Sequence, residues 1–329
     1  MQFHQLRYFV AVAELRHFTR AAERTRVAQP SLSQQIRSLE RELGAELFHR
    51  TRGNIALTDA GAALLPLARR ILADAESARL AVQETVQLRR GRVRLGAPPS
   101  LCTSLVPDVL RAYRSRHPGV ELVVREDGSR DLVRTLTAGE LDLALIITPQ
   151  AGEAPGLAVT ELLYEDLVLV SATPMRRRRA RIEDLRGQPL VMFREGYDLR
   201  EATLAACRAA GFEPELAVAG GEMDAVLGFV RAGLGPAVLP GMVAARSGLS
   251  VTPFAGSGLG RVIALASGAE LPLSRAAAAL REVLLDHLVE AGRAGALPPG
   301  TRLLDPDRPG PFGRTAASRS DDVSADRLG

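Results

Sequence analysis

The stretch "RVAQPSLSQQIRSLERELG", Arg26 to Gly44, reads as a short turn followed by a helix. Leu32, Ile36, Leu39 and Leu43 fall at i, i+4, i+7 and i+11, on one apolar stripe. Pro30, Ser33, Gln34, Arg37 and Arg41 share the opposite side. Pro30 suits a first helical turn, and Gly44 supplies the stop. One face is set to pack, and the other is set to meet something polar.

Upstream, "LRYFVAVAEL" places Leu6, Phe9, Val10 and Ala13 at helical spacing. Thr19 is the candidate N-cap before "RAAERT". Downstream, "ELFHRTRGNIALT" alternates around Gly53 as a two-stranded wing does. This order of helices, turn and hairpin predicts a winged helix-turn-helix. The second helix of such a motif lies in the DNA major groove with its apolar stripe turned inward. Ser33 and Gln34 then meet base edges, and Arg37 and Arg41 reach phosphate or guanine. Arg50 and Arg52 at the wing tip suit phosphate or minor-groove contact.

Charge placement agrees. Residues 1–90 hold 14 Arg against nine acidic residues, while residues 91–299 hold 23 against 24. The chain has no Lys, so every fixed cation is a guanidinium. A small basic module joined to a near-neutral body points to nucleic acid at one end and a different ligand at the other.

Thr58 is placed to cap the next helix, "DAGAALLPLARRILADAESARLAVQETVQLRR". Its apolar positions, among them Leu64, Leu67, Ile71 and Leu72, are too thin for a core and suggest pairing with a second copy. Pro66 predicts a bend or a shifted start. From residue 91 strands and helices alternate, which predicts a parallel sheet with helices on its faces. "LLYEDLVLVSA" reads as a strand crossing into a second lobe, and "RVIALAS" as the return. Beyond 297 the chain is rich in Pro, Gly, Arg and Asp, which predicts a disordered tail over 297–329.

No apolar run approaches the roughly 18 residues of a membrane span. "MQFHQLRYFV" lacks the organisation of an export signal, so a cytoplasmic protein is expected. Cys102 and Cys207 are expected to be thiols. The five histidines are scattered, with no serine–histidine–aspartate arrangement, phosphate loop or Cys/His metal spacing. Catalysis, a cofactor and a metal are therefore not expected. "MRRRRAR" after Pro174 reads as a solvated loop.

Residues 1–90, through "LRYFVAVAELRHFTRAAERTRVAQPSLSQQIRSLERELGAELFHRTRGNIALTDAG", resemble the DNA-binding region of LysR-type transcriptional regulators. "LTAGELDLALI" and "GFVRAGLGPAVLP" extend the likeness through 91–293. The resemblance implies an α/β protein in three parts. These are a winged helix-turn-helix (1–58), a linker and dimerisation helix (59–90), and a two-lobed effector domain like periplasmic solute-binding proteins (91–296). Lobe I would take 91–161 and 262–296, and lobe II 162–261. It also implies a dimer of dimers on double-stranded promoter DNA, a small inducer and contact with RNA polymerase. Gln29, Pro30, Ser33, Gln34 and Arg37 would read the DNA, with Arg50 and Arg52 on the wing. Ala21 and Ala22 would let two helices approach closely.

Ligands of open α/β lobes sit beyond the carboxyl ends of strands, near helix N-termini. "LGAPPSLCTS" offers Ser100 and Thr103 there, and "VVREDGSRD" offers Ser129. Free N–H groups at such turns favour an anion, hence an organic acid. Phe193, Arg194 and Tyr197 are placed to close the cleft from the second lobe, with Ile147 and Thr148 at the hinge.

Overall fold

The computed structural model describes residues 1–51, 54–86, 91–148, 156–256, 259–269 and 272–304. The N-terminal unit opens with α1 (Phe3–Leu15), α2 (Phe18–Thr25) and α3 (Gln29–Leu43). Leu32, Ile36 and Leu39 are buried with Phe9, Val12, Ala21 and Ala22. The stripe stops a turn early, because Leu43 is 42% exposed. It lies in the last turn, just before Gly44 redirects the chain with φ 70°. His17, not Thr19, caps α2: Arg20 N donates to His17 Nδ1 at 3.4 Å. His17 is extended, as a cap requires, whereas Thr19 is already helical.

β1 (Phe48–Thr51) and β2 (Asn54–Leu57) form the antiparallel wing, with Phe48 opposite Leu57. Glu40 fixes where the wing begins, since its Oε1 accepts from Leu47 N at 3.0 Å. α4 (Asp59–Val86) follows. Thr58 Oγ1 accepts from Gly61 N at 3.0 Å and donates to Glu46 O at 2.6 Å. Thr58→Ala is therefore expected to cost about 1–2 kcal/mol. A thermal melt of the variant checks this, and an unchanged midpoint would show the cap idle. α4 starts at Asp59 and runs through Pro66, so the proline does not shift the start. Its first half is not a bare linker. Ala68 is buried in the N-terminal core, with Leu64, Leu65, Ile71 and Leu72 packed against it.

Lobe I begins with β3 (Arg92–Ala97), α5 (Pro99–Cys102), α6 (Val106–Arg116), β4 (Glu121–Glu126), α7 (Ser129–Thr137) and β5 (Leu143–Thr148). β3 lies parallel to both β4 and β5. β6 (Leu157–Ser171) then crosses into lobe II. Lobe II holds β7 (Leu190–Met192), α8 (Asp198–Ala209), β8 (Leu216–Ala219), α9 (Met223–Arg231), β9 (Ala237–Pro240), α10 (Gly241–Ser247) and β10 (Ser250–Pro253). β11 (Gly260–Gly268) returns to lobe I, which α11 (Arg275–Arg293) closes.

The main sheet runs β10-β6-β11-β5-β3-β4. It is mixed, not wholly parallel as the alternation predicted: β11 is antiparallel to both β5 and β6. A strand that brings the chain back between lobes runs against the strand that took it out. Up to Asp166, β6 pairs with β11; from Leu167 it pairs with β9. Each lobe has its own apolar core, with Leu162 and Leu163 in one and Leu167 to Val170 in the other.

Order extends past residue 297. β12 (Thr301–Leu303) runs antiparallel to β6, with Thr301 opposite Glu165. Arg302 lies over the Tyr164 ring at 3.9 Å. Backbone pairing on β6 holds this segment, which composition does not register. Residues 305–329 of the expected tail lie outside the described residues.

Candidate functional site

The polar side of α3 forms an open groove lined by Gln29, Pro30, Ser33, Gln34, Arg37 and Arg41. Gln29, Pro30, Gln34, Arg37 and Arg41 are exposed, and Ser33 is half-buried. Gln29 Nε2 donates to Ser33 Oγ at 3.0 Å, which couples two of the expected reading residues one turn apart. The groove is held from behind by a contact that sequence reasoning missed. Gln35 Oε1 accepts from Gln5 Nε2 at 3.2 Å and lies 3.1 Å from His4 Nε2, tying α3 to α1. Arg50 stands opposite Ile55 in the wing, but its side chain and all of Arg52 lie outside the described residues.

The second site lies between the lobes, where the structure departs from the expected anion receptor. Ser129 Oγ accepts from Ile147 N at 3.0 Å and donates to Asp198 Oδ2 at 2.6 Å. Asp198 opens α8 in lobe II, so the chain's own carboxylate sits on Ser129. Ser100 is fully buried and accepts from Arg261 Nη1 at 2.9 Å. α5 is a single turn entered through Pro98 and Pro99, and prolines bring no N–H to bind an anion. Neither serine is a helix cap. Thr103 Oγ1 is engaged locally with the Ser100 carbonyl at 3.2 Å.

Arg261 is bound on its other side. Its Nε donates to Glu165 Oε2 at 2.9 Å, and Glu165 Oε1 accepts from Met242 N at 2.7 Å. This buried pair lies where β6 and β11 cross between lobes. Arg194 is likewise paired, with Glu222. Phe193 and Tyr197 stack at 4.8 Å, both about 1% exposed. Phe193 therefore belongs to the lobe II core instead of closing the cleft. Ile147 is also buried and meets the site only through its backbone. At the cleft the Thr148 hydroxyl is buried with no hydrogen-bond partner among the described residues, and the Tyr197 hydroxyl hydrogen-bonds with Ser100.

Burial, helped by the nearby Glu126 carboxylate, pushes the Cys102 thiol up to about 12. Burial also raises Cys207. Arg176 to Arg179 and Arg181 are all exposed, with Arg177 3.7 Å from Asp184. Among the described residues no cluster of His, Cys, Asp and Glu could hold a metal ion, and no helix is long and apolar enough to cross a membrane.

A groove-presenting helix-turn-helix joined to a two-lobed cleft domain is the architecture of a ligand-controlled DNA-binding regulator. Residues 3–62 match the family described as bacterial regulatory helix-turn-helix protein, lysR family, and residues 87–289 match the LysR substrate binding domain. The chain belongs to the LysR family of transcriptional regulators. It is 35% identical over 243 residues to the transcriptional dual regulator GltC of Bacillus subtilis, covering 73% of this chain and 81% of that one. It is 36% identical over 300 residues to a probable hydrogen peroxide-inducible genes activator of Streptomyces viridosporus, covering 86% and 94%. Full-length CbnR in complex with its target DNA superposes with a TM-score of 0.64 at 26% identity, covering 86% of this chain and 99% of that one. Full-length OxyR of Pseudomonas aeruginosa gives 0.66 at 27%, covering 88% and 94%.

Proposed function

We propose that α3 reads an inverted repeat in promoter DNA and that a small polar molecule between the lobes controls the outcome. Gln29, Pro30, Ser33, Gln34 and Arg37 read bases and backbone, and Arg50 and Arg52 hold the wing to phosphate. The observation that carries this is the exposed polar groove of α3 backed by the buried Leu32, Ile36 and Leu39. Two dimers, paired through α4, set successive recognition helices in successive major grooves. A ligand that favours one lobe angle shifts the tetramer between DNA bends and so changes its contact with RNA polymerase. The protein acts in the cytoplasm.

The groups expected to hold an organic acid are already engaged within the chain: Ser129 donates to Asp198, Ser100 accepts from Arg261, and Arg194 pairs with Glu222. Peroxide sensing through a thiolate is not favoured either. The thiolate is the reactive form, and burial keeps both cysteines protonated.

The test is a footprint on the gene's own upstream DNA, with and without small molecules. A protected inverted repeat that changes with one compound supports the reading, and no protection anywhere upstream refutes it. Gln34→Ala is expected to lower discrimination between operator and mutated operator by roughly 5- to 150-fold, the loss of one good base contact. Arg37→Ala should instead flatten the salt dependence if it holds phosphate. Unchanged discrimination by Gln34→Ala would remove that residue from the reading set.

A further inference from the structure

Two helix starts meet across the cleft. Ser129 is the first residue of α7 on lobe I, and Asp198 is the first residue of α8 on lobe II. Ser129 Oγ donates to Asp198 Oδ2 at 2.6 Å. A Cβ built on Gly128 would stand 3.9 Å from Gly196 O, so the two turns lie close along their backbones as well. The adjacent Tyr197 also spans the cleft, with its hydroxyl bonded to Ser100 on lobe I. Two successive residues of lobe II thus hold two strand-to-helix turns of lobe I.

Electrostatics gives the Asp198 contact a direction. Each helix start carries the positive end of its dipole, and two starts facing each other repel. The Asp198 carboxylate sits at its own helix start and reaches the other, so it relieves both. Its receptor is fixed in place. Ser129 is 0% exposed, and its Oγ also accepts from Ile147 N on β5 at 3.0 Å. A serine hydroxyl has one proton to donate, and here it is committed to Asp198. A hydrogen bond to a charged acceptor is among the stronger kinds, and opening the lobes has to break it.

We propose that Asp198 is a built-in latch: with no ligand present its carboxylate holds lobe II closed on Ser129 of lobe I, and a ligand acts by displacing it. The proposal rests on reading the cleft as the effector site. The single Ser129 proton cannot serve Asp198 and an incoming acceptor at once. A ligand that takes it frees lobe II, and the population shifts towards the open arrangement. The chain's own carboxylate therefore competes with the effector, and its removal should imitate the effector's action.

The test reads the gap between the lobes in the full-length protein with no additive. Nitroxide labels go on Arg134→Cys in α7 and Glu201→Cys in α8, both exposed positions. Burial raises the Cys102 and Cys207 thiols, so they react slowly with the label. Labelled chain is diluted into unlabelled chain, which leaves only distances within one chain. The parent is expected to show one short distance. Asp198→Ala should move population to a longer one, raising the open-to-closed ratio about tenfold or more, the loss of one hydrogen bond to a charged group. Ser129→Ala should do the same, and the two together no more than either alone, because both remove one contact. Asp198→Asn keeps an acceptor at the start of α8 and should fall between the parent and Asp198→Ala; it carries the same test where the alanine variant fails to fold. A gap that neither Asp198 variant changes overturns the proposal, and so do Ser129 and Asp198 effects that add in full. The footprint separates this from the regulator reading. Without additives, Asp198→Ala should protect a different length of DNA from the parent. An unchanged footprint over an opened gap overturns the latch as a control on DNA binding. No footprint from either protein refutes the regulator reading instead.

Discussion

Arg261→Ala is expected to destabilise the effector domain by about 3–5 kcal/mol, the usual result of breaking a buried ion pair from one side. Arg261 is 4% exposed and Glu165 is 0% exposed. The guanidinium holds Glu165 at 2.9 Å through Nε and Ser100 at 2.9 Å through Nη1. Truncation leaves a dry carboxylate with Met242 N as its remaining hydrogen-bond donor, at 2.7 Å. Arg261→Lys should recover only part of the loss, because one ammonium cannot reproduce the fork. The double variant Arg261→Met, Glu165→Gln should be more stable than Arg261→Ala, since it removes the stranded charge and keeps an acceptor for Met242. Thermal unfolding of the full chain reads all three. Equal melting of the single and double variants would mean that the pair is not desolvated as the structure has it. The N-terminal unit has a separate core, so its own melting should be unaffected.

The two halves of the chain differed in how much their sequence disclosed. The helix-turn-helix was legible because its order is local. Leu32, Ile36 and Leu39 announce their face within eight residues, and Thr58 caps the helix it immediately precedes. Its errors were local too. Thr19 has the better capping side chain, but backbone geometry gives the role to His17. The alternation of lobe II was also readable, since each strand and helix carries its own period.

The cleft was not readable, because its chemistry is made by distant pairs. Ser129 meets Asp198 from 69 residues away, and Ser100 meets Arg261 from 161. Each serine taken alone resembles an anion-binding turn. Only the folded chain shows that Asp198 and Arg261 already engage those hydroxyls. β12 escaped notice for a similar reason, since its partner β6 lies well over a hundred residues upstream.

Gly61→Ala is expected to destabilise the DNA-binding unit by about 2–3 kcal/mol, the cost of forcing a methyl into a filled contact. The sign runs against propensity, since alanine favours a helix over glycine by about 1 kcal/mol. Sterics decide it. A Cβ at Gly61 would stand 2.2 Å from Leu47 O and 2.9 Å from Leu57 Cδ2. The carbonyl is not free to retreat, because it accepts from Thr58 N at 3.1 Å while Leu47 N is held by Glu40 at 3.0 Å. α4 must therefore back away from the wing, and the wing must shift against α3. DNA affinity should fall on every sequence alike, whereas Gln34→Ala should lose discrimination first. Gly44→Ala is the control. It has nothing within 4 Å of a new Cβ and a φ of +70°. It should cost only the left-handed backbone strain of about 1 kcal/mol. If Gly61→Ala melts no lower than Gly44→Ala, helix propensity has outweighed the contact, and α4 does not press on the wing as closely as the structure has it.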